Sequence, residues 1–140
     1  MSMGTGTGVA PAPASQAGAC RVLVVDDNTD AAESLAMLLE VRGNEVRVAY
    51  DGLEALDKEA EFRPDVVLLD IGMPKMSGYE VAKRIRAARG AAVMIVAITG
   101  WGQEDDRRRA REAGFDHHFT KPVDYEALIE LIEAKPLHAG

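Results

Sequence analysis

Three carboxylates follow directly on apolar runs: Asp26 and Asp27 close "RVLVVDD", and Asp70 closes "PDVVLLD". Like charges held that close repel one another, so keeping all three ionised calls for a cation among them. An all-oxygen donor set suits a hard divalent ion such as magnesium. Two further stretches end in complementary groups, Thr99 with Gly100 after the apolar "AAVMIVAI" and Lys121 with Pro122 after the mixed "DHHFT". A carboxylate beside magnesium can attack phosphorus to give an aspartyl phosphate, while an ammonium and a hydroxyl hold the transferred oxygens. Turns and helix caps explain each of these residues singly. They do not explain why the reactive types recur at the same end of several strands.

The elements that must position these residues alternate regularly. "RVLVV" reads as a β-branched strand, and "NTDAAESLAMLLEVRG" as a helix with Asn28 or Thr29 as its cap, Asp30 in its first turn, Leu35, Leu38 and Leu39 at helical spacing and Gly43 as its stop. "NEVRVAY" alternates Val46, Val48 and Tyr50 with polar neighbours before Asp51 and Gly52 turn into "LEALDKEAEF". "PDVVLLD" with "SGYEVAKRIRAARG", "AAVMIVAIT" with "QEDDRRRAREAG", and "DHHFTK" with "VDYEALIELIEA" complete five strand–helix units. In the third helix Val81, Ala82, Ile85 and Ala88 share a face, and in the fifth Tyr125, Leu128, Ile129 and Ile132 do so. Such alternation predicts an α/β fold with a parallel sheet and right-handed crossovers. Strands one, three and four are continuously apolar, as central strands covered on both faces should be, whereas two and five are mixed, as edges are. This fits a flavodoxin-like, doubly wound (βα)5 sheet of order 2-1-3-4-5, whose ligands bind beyond the carboxyl ends of the strands.

Bulk properties narrow the partners. The 140 residues suit one domain, and a formal charge of -7 argues against a broad nucleic-acid surface or docking on an anionic membrane. Cys20 is the single cysteine, so neither an internal disulfide nor a cysteine-rich zinc site can form. Residues 1–20 are rich in Gly, Ala, Pro, Ser and Thr and read as a disordered tail or linker, with 136–140 a short C-terminal tail. No apolar run has the length of a signal peptide or a membrane span, so the expected location is cytoplasmic.

With "VVDDN", "VVLLDIGMPKMSGYEV", "VAITG" and "HHFTKPVD" in this order, the chain resembles the receiver domain of two-component response regulators over residues 21–135. The resemblance implies that Asp70 is the phosphoacceptor and that Asp26, Asp27, Asp70 and the backbone carbonyl of Gly72 hold Mg2+. It further implies that Thr99 is a switch hydroxyl, that Lys121 contacts the phosphoryl group, and that the bond before Pro122 is often cis. The implied donor is a phosphohistidine on a sensor histidine kinase or a histidine phosphotransfer protein, with small phosphodonors as substitutes. The implied output is a downstream protein target reading the surface of helix four, strand five and helix five, with phosphorylation-dependent pairing of two copies among the outcomes. On this reading the chain is a signalling phosphoacceptor, not an enzyme, and catalyses only its own phosphorylation and dephosphorylation.

Some positions depart from that pattern or leave choices open. Where the family commonly carries a Tyr or Phe switch, this chain has His118 beside His117; a histidine switch would make output pH-sensitive near neutrality, whereas a plain edge histidine would not. Helix four is polar on nearly every face and expected to rest on the pairs Glu104 with Arg108 and Asp105 with Arg109. Trp101 could gate the site, meet a partner or cover the sheet rim. A flavin protein on this fold would be repelled by Asp26 and Asp27. An aspartyl-nucleophile phosphohydrolase would carry an acid two residues after its nucleophile, where Gly72 stands. An interaction module independent of phosphorylation would be expected to have lost Asp70, Thr99 or Lys121. With "PLHAG" after Lys135, action is expected through the domain's own contacts, as a stand-alone regulator or as a receiver from a hybrid histidine kinase.

Overall fold

A computed structural model describes residues 20–73, 76–100 and 104–134, with the backbone alone for 104–107. The two tails apart from Cys20, Trp101, and the pairs expected from Glu104 and Asp105 therefore lie outside the described residues. The described elements are β1 (Arg21–Val25), α1 (Thr29–Val41), β2 (Glu45–Ala49), α2 (Gly52–Phe62), β3 (Val66–Asp70), α3 (Gly78–Arg89), β4 (Met94–Thr99), α4 (Glu104–Ala113), β5 (His117–Thr120) and α5 (Tyr125–Ala134). A 3-10 turn, Gly90–Ala92, leads into β4. The strands are parallel in the order β2-β1-β3-β4-β5, as the apolar patterning predicts.

The helices start where the sequence supplies caps. Asn28 Oδ1 accepts from the Ala31 N–H at 3.1 Å and Asp51 Oδ1 from the Glu54 N–H at 2.8 Å, each satisfying a donor that the first helical turn leaves unpaired. Because side chains alternate along a strand, each central strand feeds two cores. Leu23, Val25, Leu69 and Ile95 pack with Ala55 of α2, Val81 and Ile85 of α3 and Ala110 of α4. Val22, Val24, Leu68 and Val96 pack with Leu35 and Leu39 of α1 and Leu128 and Ile132 of α5. Each large aliphatic so buried contributes roughly 1.5–3 kcal/mol, which is why the buried positions of β1, β3 and β4 up to Asp70 and Thr99 are all apolar.

Three expectations shift. Tyr125 is 47% exposed and Ala88 is exposed as well. Both lie in terminal helical turns, and a periodic stripe states which side of a helix a residue is on, not whether the sheet reaches that far. Cys20, grouped with the tail by composition, is buried, with its N–H donating to Asn44 Oδ1 at 3.0 Å. The fourth helix is seated by two small residues, Ala110 and Ala113, both buried, while the Arg109 guanidinium lies 4.2 Å from the Tyr79 ring centroid on α3.

Candidate functional site

The ladder continues one residue beyond the strand ends, and that continuation fixes the rim. Asp26 N–H donates to Ala49 O at 3.1 Å, Ile71 N–H to Ile98 O at 3.0 Å and Lys121 N–H to Thr99 O at 2.8 Å. Asp70 and Thr99 thus close β3 and β4, and Asp26 and Lys121 directly follow β1 and β5, the four strands being neighbours in the sheet. The Lys121–Pro122 bond is cis.

The side chains converge. Carboxylate oxygens of Asp26, Asp27 and Asp70 lie within 4.8 Å of one another. Asp70 is buried; its Oδ1 accepts from the Gly72 N–H at 2.9 Å and its Oδ2 from Lys121 Nζ at 3.3 Å. Asp26 Oδ1 accepts from the Asn28 N–H at 2.9 Å, and its Oδ2 is 4.0 Å from Lys121 Nζ. Burial pushes the Asp26 carboxyl from its ordinary 3.8 up to about 6; the Asn28 N–H opposes this, the Asp70 carboxylate adds to it, and Lys121 opposes it. Asp27 is exposed, Thr99 is 4% exposed, and Thr99 Oγ1 is 3.3 Å from His118 Nε2. Gly72 is exposed at the rim.

Asp26, Asp27, Asp70 and Lys121 therefore form one cluster, and Thr99 stands at the end of the neighbouring strand with its hydroxyl against His118. Two supports were not anticipated. Asn28 serves the rim through its backbone N–H as well as capping α1 through its side chain. Gly78 lets α3 approach β3: a Cβ there would stand 2.7 Å from Ile71 Cα and 2.8 Å from Asp70 O. The signal for it was a glycine opening a helix right after Ser77, a place where glycine is otherwise disfavoured.

Chemically, the rim carries three carboxylates against one ammonium. Three carboxylates offering oxygen donors within reach of one another match what a hard divalent cation needs, and Mg2+ fits this donor set. Among the described residues no helix is long and apolar enough to cross a membrane.

Comparison with known proteins agrees with the geometry. Residues 22–133 match the model of the response regulator receiver domain family. The chain is 37% identical over 113 residues to the "Uncharacterized 14.6 kDa protein in sodA1 3'region" of Leptolyngbya boryana, covering 80% of this chain and 86% of that protein. It is 38% identical over 114 residues to response regulator MprA of Mycobacterium avium, covering 81% of this chain, and it spans about half of that relative's length, 50%. Among solved structures, a response regulator receiver protein from Pseudomonas putida matches with a TM-score of 0.76 and 30% identity, over 82% of this chain and 96% of the other. A CheY-like receiver domain protein from Methanospirillum hungatei matches with a TM-score of 0.75 and 31% identity, over 80% and 89%.

Proposed function

Because the chain belongs to the response regulator receiver domain family, we propose that Asp70 accepts a phosphoryl group from the phosphohistidine of a sensor histidine kinase or histidine phosphotransfer protein. The observation that carries this reading is the contact of Asp70 Oδ2 with Lys121 Nζ inside a three-carboxylate rim. A carboxylate oxygen of Asp70 forms the new P–O bond as the P–N bond to the donor histidine breaks, and the histidine leaves with the bonding electron pair. Asp26, Asp27, Asp70 and the Gly72 carbonyl would hold Mg2+, which when bound supplies positive charge between nucleophile and phosphoryl oxygens. Lys121 meets a phosphoryl oxygen from just beyond the end of β5, and Thr99 donates its hydroxyl from the end of β4. Water attacking phosphorus later breaks the P–O bond and restores the Asp70 carboxylate, so the signal ends itself.

The unit spanning residues 21–135 is the receiver, and its output on this reading is a changed α4–β5–α5 surface offered to a downstream protein. His118 and Thr99 are the side chains proposed to carry the change. The test is labelling of the purified chain with acetyl phosphate and Mg2+, followed by intact mass. Wild type gains one phosphoryl group that EDTA prevents, and Asp70→Asn gains none. A labelled Asp70→Asn would overturn the assignment.

A further inference from the structure

The Thr99 hydroxyl has one hydrogen, and two groups compete for it. One is the phosphoryl oxygen proposed at Asp70; the other is His118 Nε2, 3.3 Å from Thr99 Oγ1. Thr99 is 4% exposed, so water is a poor substitute for either. The contact is set by the sheet: β4–β5 pairing puts His118 opposite Ala97 and Thr120 opposite Thr99, so His118 and Thr99 stand on the same face as diagonal neighbours on adjacent strands.

A neutral imidazole nitrogen is either a donor or an acceptor, and the two cases differ at the rim. If Nε2 accepts, the Thr99 hydrogen is aimed at the ring and withheld from Asp70. If Nε2 carries the proton, it donates to an Oγ1 lone pair and leaves the hydroxyl hydrogen free for a phosphoryl oxygen. We propose that His118 is a positioning residue: its Nε2–H tautomer orients the Thr99 hydroxyl toward the phosphoryl group on Asp70. This rests on the phosphoacceptor reading of Asp70.

The same ring reaches the output side. With Ala110, Arg111, Phe115, Asp116 and His117, His118 lines a groove of about 400 Å³ between α4 and β5. A change of tautomer or ring position at Thr99 is therefore also a change in the wall of that groove. A phenyl ring at position 118 could fill the space but has no nitrogen to place against Oγ1.

The test uses the full chain with Mg2+ and acetyl phosphate, following acyl phosphate formation by intact mass in His118→Phe, His118→Gln, Thr99→Val and the double variant Thr99→Val with His118→Phe. His118→Phe should slow formation roughly three- to tenfold, the range one hydrogen bond carries. His118→Gln, whose amide can donate, should recover most of the rate, and His118→Phe should add nothing in the Thr99→Val background. Nitrogen-15 NMR of the histidine rings gives a readout that packing alone would not move: Nε2 of His118 should be the protonated nitrogen in the phosphorylated protein. An unchanged rate in His118→Phe, an equal loss with and without Thr99, or an unprotonated Nε2 would each overturn the proposal while leaving labelling of Asp70 intact. A wild-type chain that takes no label would overturn the phosphoacceptor reading and this one together.

Discussion

Lys121 Nζ stands 3.3 Å from Asp70 Oδ2 and 4.0 Å from Asp26 Oδ2, so the rim's ammonium leans on the carboxylate of β3 more than on that of β1. The lysine side chain is 41% exposed, and an ion pair so open to solvent contributes at most about 1 kcal/mol to folding. Against an incoming phosphoryl group its charge faces oxygens of much higher charge density. Lys121→Ala should therefore change urea stability by less than about 1 kcal/mol yet slow phosphorylation of Asp70 by acetyl phosphate at least about tenfold. A variant that keeps the wild-type rate would remove Lys121 from the phosphoryl contact.

Asp26 gives the metal-free protein a pH dependence of defined sign. Its folded carboxyl, held at about 6 against 3.8, keeps its proton where the unfolded chain has lost it. The stability this lends is fully present below about pH 4, falls as pH rises through the window up to about 6, and is gone above it. The gap corresponds to roughly 3 kcal/mol at most, and less where the rim relaxes. In EDTA, urea midpoints of Asp26→Asn minus wild type should grow between about pH 4 and pH 6.5 and then level off. Millimolar Mg2+ at about pH 8 should narrow that difference by stabilising wild type alone. A difference that stays flat with pH would mean Asp26 is ionised without strain.

How far the sequence reaches is clear from particular residues. Asp26, Asp27, Asp70, Thr99 and Lys121 were legible because each is a reactive type at the carboxyl end of a strand, four of them after an apolar run and Lys121 after a mixed one, and parallel strands deliver such ends to one rim. Leu128 and Ile132 were legible from helical spacing, whereas Tyr125 was not, since the spacing does not reveal the extent of the sheet beneath. Arg86 illustrates what no pattern announces: its guanidinium binds the carbonyls of Gly90, Val93 and Gly114 and the Asp116 carboxylate, fastening α3 to the turns around β4 and β5. Those acceptors are mostly backbone groups presented by turns, and residue types carry no record of them. Thr99 and His118 share a middle position: the residues drew attention, but their contact depends on the β4–β5 register.

The ion pair between Glu59 of α2 and Arg89 of α3 was equally invisible, being 30 residues apart, and it is nearly sealed from solvent at 6% and 5% side-chain exposure. Arg89 Nη2 also donates to Pro64 O at 3.2 Å, so the guanidinium closes the base of the α2–β3 connection. Removing one partner strands the other charge in a low-dielectric setting. Arg89→Ala should lose about 3–5 kcal/mol in urea unfolding, whereas replacing both partners, Glu59→Leu with Arg89→Met, should recover much of it. A double variant as unstable as Arg89→Ala would point instead to lost packing of the arginine stem.

Gly78 links the core to the chemistry most directly. It opens α3, and its N–H donates to Ile71 O at 3.2 Å, drawing the helix onto the segment that follows Asp70. A methyl group there would meet backbone atoms, Ile71 Cα at 2.7 Å and Asp70 O at 2.8 Å, which cannot swing aside as a side chain can. Gly78→Ala must move α3 or the β3 end, and overpacking of this sort costs about 1–3 kcal/mol even though alanine is the better helix former. Because the obstructed atoms belong to Asp70 and its neighbour, the displacement should also disturb the alignment of the carboxylate with Lys121. The expected result is a lower urea midpoint together with slower acetyl phosphate labelling, the second persisting at temperatures where the variant is fully folded by circular dichroism. Gly78→Ala with wild-type stability and labelling would show that α3 has room to retreat.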